Sequence, residues 1–354
     1  MRNYLITLFL LCWMPAQAQV SIDDYLSDFD YGIRAVENIY SGFDIKVTSE
    51  TRQSYEHVKD SIRATIADGL SGFEDAFGCY LAWFKDYHLH DYCGAQDKYM
   101  KGPVDYSAFM EYNPSDMFAK VDDATFLIRY TSCVGSPQRK RWIKKSIRMF
   151  HKSHCENLIL DLRGNKGGAA GASDDFIKLL YDHDGYYNGI AIRNTPANID
   201  YFRKTTKHDR YWQKHLDASE QSEEEYPTLF EPYLVHYDNI STQPRKAAVI
   251  IDNNTASAAE EFILILQRVS NRVTIFGKEH SLGCLDYANA GSVTLPNSGY
   301  RFRVPLTRSL GLPATGIDAN GIAPDIMIDC AYPQTLINNI DDFVLWVASY
   351  LTNY

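Results

Sequence analysis

One pattern constrains this chain more than any other: an apolar strand, a polar or glycine turn, then a helix, several times in succession. Residues 247–251 are a short apolar run, closed by Asp252-Asn253-Asn254 and the small residues 255–259. Phe262, Ile263, Ile265 and Leu266 then recur on one helical face. Residues 157–163 (NLILDLR) read as a buried strand. It closes on Gly164-Asn165-Lys166-Gly167-Gly168, and a helix is expected over 169–181. Upstream, residues 124–132 are strand-like and 138–151 form a basic amphipathic helix. Such alternation implies an α/β fold with a crossover-connected sheet covered on both faces.

The flanking segments differ in period. Tyr25, Phe29, Ile33, Val36 and Ile39 recur at helical spacing, and a second such pattern runs over 64–84, so a small helical subdomain is expected over 19–95. The core is expected over 96–354. A polar, aromatic segment at about 182–245 interrupts it, either as a solvated insertion or as a cap over a site. Later come a strand at 273–276, a strand pair at 291–295 and 300–306, a glycine- and proline-rich loop at 311–324, and a closing helix at 337–351.

Composition excludes several classes. A net charge of -10 disfavours nucleic acid and anionic membranes as partners. Arg2, the apolar run 4–14 and Ala16-Gln17-Ala18 predict a signal peptide over 1–18, with the mature chain beginning near Gln19. That run is too short to span a membrane, and no other long apolar run exists, so no membrane insertion is expected. The protein is therefore expected to be exported, to the periplasm or outside the cell. Outside the signal six cysteines remain: Cys79, Cys93, Cys133, Cys155, Cys284 and Cys330. Disulfides are permitted, Cys79–Cys93 being closest in sequence; buried free thiols are equally compatible. No C-x-x-C or H-E-x-x-H occurs, so neither metal nor cofactor is expected.

Four pieces could carry chemistry. Ser257 in TASAAE stands at the start of a helix, where free backbone N–H groups lie beside it; taken alone it reads as a helix cap. The glycine turn 161–168 brings main-chain N–H groups close to an anion or oxyanion, without phosphate-loop spacing. The segment 86–90 (DYHLH) holds His88 and His90. The loop 316–325 (GIDANGIAPD) holds Asp318 and Asp325.

Taken in order, DLRGNKGG, TASAAE and a late glycine-led G-[IV]-x-P-D segment resemble the C-terminal-processing (tail-specific) serine peptidases, over roughly residues 84–330. The resemblance implies a crotonase/ClpP-like core of curved mixed β-sheet with helices, a peptide or protein substrate, and hydrolysis through Ser257. One branch of that family takes a lysine base from a G-K-G segment. Here the corresponding region begins Gly277-Lys278-Glu279-His280, and G-K-G is missing. The other branch, similar to the tricorn core, takes a histidine from a D-x-H segment, which Asp86-Tyr87-His88 matches. His88 is therefore the expected general base, with His280 as competitor. Asp318 stands where that branch has a glutamate assisting the histidine through a serine; here the residues are Asp318 and Tyr87 instead. The oxyanion hole is expected from the N–H of Ala258 and, by resemblance, that of Gly167 or Gly168. Glu260 is read as structural and Glu261 as a solvated helix residue. Many relatives carry a peptide-binding PDZ module, for which residues 91–123 leave too little room. The rival reading is a catalytically impaired, peptide-binding protein on the same fold, motivated by Tyr87 and Asp318. The substrate's sequence and the oligomeric state are not legible.

Overall fold

A computed structural model describes residues 20–92, 115–206, 209–333 and 335–354. The signal segment, Cys93 and most of the short interval expected to exclude a PDZ module lie outside these residues. Six strands lie side by side in chain order: Met117–Lys120, Thr125–Arg129, Asn157–Asp161, Lys246–Ile251, Val273–Gly277 and Ile326–Met327. The first pair is antiparallel and every later pair is parallel. Parallel neighbours need crossovers; helices Pro137–Ser153, Asp174–Leu180 and Ala258–Val269 lie in the first three, and the last runs through residues 278–325 without a helix. This is the mixed α/β architecture that the strand–helix alternation implies.

Strand periodicity assigns the two faces. Phe126, Ile128, Leu158, Leu160, Val249 and Ile275 pack against the crossover helices. The intervening Leu127, Ile159, Ala248, Ile250 and Phe276 pack against Phe343, Val344, Val347 and Leu351 of the closing helix. That helix is Asp342–Asn353, starting later than the expected residue 337. Leu336–Ile337 instead pairs with Ile340–Asp341 across Asn338-Asn339, both at positive φ, a turn that asparagine tolerates. Asp341 then caps the helix by accepting the Val344 N–H. Helix Asp174–Leu180 is likewise shorter than expected.

The strand end at Asp161 is locked by buried charge. Asp161 accepts from Arg163 Nε and one terminal nitrogen, each at 2.7 Å, and from Arg129 Nε at 2.9 Å. Burial opposes the charge on Asp161, but the two guanidinium groups prevail and hold its pKa well below the usual range. Arg163 also pairs with Asp341 at 2.9 Å, tying the glycine turn to the closing helix.

The N-terminal helices are Ile22–Ile39, Phe43–Lys46, Arg52–Ala67 and Phe73–Ala82. The pattern expected over 64–84 is broken near Gly69, at φ 62°. These helices do not close on themselves. Phe29, Phe77, Tyr80 and Phe84 share one core with Tyr287, Tyr300 and Phe302 from the late strands. The interrupting segment adds strands Ile190–Ile192 and Thr228–Phe230 to a second sheet with Tyr287–Ala288 and Thr307–Ser309. Helices Pro196–Thr205 and Arg210–Glu220 pack on it through Ile199, Phe202 and Leu216. No disulfide joins Cys133, Cys155, Cys284 and Cys330.

Candidate active site

The strand Lys246–Ile251 delivers the chain to a turn held by Asp252. Its carboxylate accepts the N–H of Gly164 and of Asn254, both at 3.0 Å. Ala256 N–H donates to the Asn165 carbonyl at 2.9 Å, so the serine turn and the glycine turn are joined backbone to backbone. Ser257 follows at φ 57° and ψ −123°, a conformation that non-glycine residues rarely adopt. Its own N–H donates to Glu260 Oε2 at 2.9 Å. The same buried carboxylate accepts Cys284 N–H (2.9 Å), Gly283 N–H (2.7 Å) and Ser281 Oγ–H (2.5 Å). Burial pushes the Glu260 pKa up and these four donors oppose it. Glu260 thus anchors the strained turn to the loop 281–284.

Both glycines beside Ser257 stand at positive φ and leave no room for a side chain. A Cβ at Gly167 would lie 2.8 Å from Ser257 Cβ, and one at Gly168 would lie 2.4 Å from the Cys133 carbonyl oxygen. Their N–H groups differ. Gly167 donates to Asn165 Oδ1 at 3.0 Å. Gly168 N–H and Ala258 N–H donate to no acceptor among the described residues, and both residues line the cleft that holds Ser257. Of the two expected glycine donors, Gly168 is therefore the open one.

His88 arrives from the other side of the cleft. Asp86 accepts the His88 N–H at 2.8 Å through Oδ1 and the Tyr40 hydroxyl at 2.8 Å through Oδ2, which fixes the turn 86–89 against the N-terminal helices. The His88 ring lies between two partners: Nδ1 is 2.5 Å from the Tyr287 carbonyl oxygen and Nε2 is 3.2 Å from Ser257 Oγ. A carbonyl only accepts, so Nδ1 bears the hydrogen, and the lone pair of neutral imidazole on Nε2 faces the serine hydroxyl. Burial lowers the His88 pKa, with Asp86 and the Tyr287 carbonyl opposing, so the neutral form predominates at pH 7.

Asp318 does not hydrogen-bond to His88. Its Oδ1 accepts the N–H of Leu285 (3.1 Å) and of Asp286 (2.9 Å), and its Oδ2 is buried without a hydrogen-bond partner among the described residues. His280 is exposed, bonded to the Asn320 carbonyl at 3.0 Å, and lies outside the cleft lining. Lys278 bonds the Cys330 carbonyl, and Asp325 accepts Ile275 N–H at 2.8 Å. His90 lines the cleft with Nδ1 on the Asp91 carbonyl at 2.6 Å.

The cleft is a cavity of about 1160 Å³. The interrupting segment contributes Tyr187, Trp212, Phe230 and Tyr233 to its lining, beside His88, Ser257 and Gly168. Glu261, expected in solvent, instead lines this cavity, and burial together with Asp174 pushes its pKa up to about 7. Among the described residues no group of three or more His, Cys, Asp or Glu side chains could hold a metal ion. Sequence reasoning missed Tyr287, whose main-chain carbonyl carries no residue-type signal, and Asn165, hidden inside the glycine turn. It read Asp86 only as part of a pattern, although an aspartate two residues before His88 is an Asx-turn signature.

Residues 125–328, more than half of the chain, match the model of peptidase family S41. No curated protein matches the chain. Among solved structures, a Parabacteroides merdae protein is 16% identical over 95% of this chain and 98% of its own, with a TM-score of 0.58. Mature CPAF is 10% identical over 94% of this chain and 96% of its own, with a TM-score of 0.59. At such identities these two likenesses speak for the fold alone. The family match covers both the glycine turn and the serine turn, and on that ground the chain belongs to peptidase family S41 and is a serine peptidase.

Proposed function

We propose that Ser257 is the nucleophile, His88 its general base, and the N–H groups of Ala258 and Gly168 the oxyanion hole. The observation that carries this reading is the alignment of Ser257 Oγ, His88 Nε2, His88 Nδ1 and the Tyr287 carbonyl in one chain of contacts at 3.2 and 2.5 Å. In the first step Oγ bonds to the scissile carbonyl carbon while its proton passes to Nε2. The carbonyl oxygen takes the negative charge and meets the two open N–H groups. Collapse breaks the C–N bond, and Nε2 returns the proton to the leaving amine. Water then cleaves the acyl-enzyme through the same two transfers. The Tyr287 carbonyl keeps the imidazole in the required tautomer and favours the transient imidazolium, the part a carboxylate usually takes.

Substrates are peptides or proteins in extended form, which the open cleft and its aromatic wall can take along their length. Export rests on the sequence of residues 1–18. The rival, a binder without turnover, drew on Tyr87 and Asp318; it is weakened because the acceptor facing His88 Nδ1 is main chain and depends on neither side chain directly. The test is hydrolysis of a fluorogenic peptide mixture by wild type, Ser257→Ala, His88→Ala and His280→Ala. Activity is expected only in wild type and His280→Ala. Undiminished turnover in Ser257→Ala would sink the proposal.

A further inference from the structure

We propose that Asp286 and Asp318 are positioning residues, clasping two loops so that the Tyr287 carbonyl is fixed in place to orient His88. The inference rests on His88 as base and extends that reading to the residues behind it. The clasp is reciprocal. Asp318 Oδ1 accepts the N–H of Leu285 and Asp286, while Asp286 Oδ2 accepts the N–H of Ile317 (2.6 Å) and Asp318 (2.7 Å). Each carboxyl therefore satisfies two successive N–H groups of the loop that carries the other. Tyr287 is the next residue, and its carbonyl faces His88.

The loops are pressed together at a second point. Ala319 N–H donates to the Gly283 carbonyl at 3.0 Å, and a Cβ on Gly283 would lie 2.6 Å from Gly321 N and 2.7 Å from the Ile317 carbonyl oxygen. On the far side Ser309 N–H donates to the Asp286 carbonyl at 2.8 Å, which continues into the pairing of Tyr287–Ala288 with Thr307–Arg308. A main-chain carbonyl cannot rotate as a side chain can, so its aim is only as good as the anchorage of its loop. Here two side chains provide that anchorage.

What the clasp uses is acceptor oxygen, and it works without the negative charge. Burial, and then the nearby Asp86, push the Asp318 pKa well above the usual range, with Asp286 adding to the effect; Lys46 opposes. Burial likewise raises Asp286. A neutral acid still accepts at one oxygen, and so does an amide of the same shape. A relay that stabilised imidazolium by charge would fail on that change.

The experiment compares Asp318→Asn, Asp318→Ala, Asp286→Asn and Asp286→Ala with wild type and His88→Ala, reading kcat and KM on a fluorogenic peptide. The downfield proton resonance of His88 Nδ1–H is followed in parallel. We expect the Asn variants to stay within about threefold of wild type in kcat, with the resonance kept. The Ala variants should lose about 100-fold in kcat at little-changed KM, with the resonance lost, because a misplaced base costs roughly that much. Asn variants that fall as far as the Ala variants, or Ala variants that keep both kcat and the resonance, would overturn the clasp. If the Ala variants do not fold, the Asn pair decides on the same criteria. Activity in His88→Ala would instead overturn the reading on which the inference rests.

Discussion

Two carboxyl groups, the buried Glu260 and the half-buried Asp318, flank the proposed pair of Ser257 and His88, and they are built differently. On the serine side, Glu260 fills both oxygens with four donors from the turn at Ser257 and the loop 281–284. On the histidine side, Asp318 receives two donors on Oδ1 and, among the described residues, none on Oδ2. The first has both oxygens saturated and holds a strained turn in one conformation. The second is an acid whose pKa is raised by burial and neighbouring carboxylates, and which needs only one oxygen to hold its loop. The serine side is thus fixed through both oxygens of its carboxyl group, and the histidine side through one.

The largest effects should be alike on the two sides. Ser257→Ala and His88→Ala should each lower kcat by about 10⁴-fold or more, since the proposed nucleophile and base would act as a unit. A His88→Ala variant within tenfold of wild type, in the same assay, would break the pairing of the two halves. Next, Gly168→Ala should cost about 10²–10³-fold in kcat, because its Cβ meets the Cys133 carbonyl and displaces the open N–H. A loss confined to KM would argue against an oxyanion role.

Glu260→Gln sharpens the contrast most. An amide NH₂ turned toward these donors leaves at least one backbone N–H unsatisfied, so destabilisation of about 2–3 kcal/mol is expected in urea unfolding. Asp318→Asn in the same measurement should cost about 1 kcal/mol or less. Equal costs would remove the distinction between the two sites.

Glu261 gives a smaller, pH-dependent effect. Its folded pKa of about 7 lies above the usual 4.5, so the folded state holds a proton that the unfolded chain releases between those values. Its contribution is present below about pH 4.5 and is lost as pH rises through 7. Glu261→Gln should therefore stabilise the protein by about 2 kcal/mol at pH 8 and little at pH 5. A shift equal at both pH values would contradict the buried carboxyl. Smallest is the pH profile. The acid limb of kcat/KM should fall below the usual histidine value of about 6.5, since burial lowers the His88 pKa and only the neutral base accepts the proton.

The serine side was legible in the sequence because it is local. A strand, a turn, small residues and a helix over 247–266 fix the place of Ser257, and Asp161–Gly168 supplies the neighbouring turn within the same sheet. The sheet itself follows from the fully apolar strand runs. The histidine side was only partly legible, because three distant segments build it, at 86–90, 285–287 and 317–318. Asp86-Tyr87-His88 could be read as a pattern. The partner of the ring could not, being a main-chain oxygen set by tertiary packing. Asp318 was singled out by position in its loop, yet its contact is with backbone and not with the histidine. The burial of Glu261 is not legible because it depends on Tyr187 and Tyr233, which the interrupting segment brings over helix Ala258–Val269.

The central claim is that Ser257 is activated by His88. It is tested most directly by labelling with a fluorophosphonate probe, mapped to the modified residue by mass spectrometry, in wild type and His88→Ala. A single label on Ser257 is expected in wild type, with near-complete loss in His88→Ala. A label on another residue, or equal labelling of Ser257 in both proteins, would contradict it.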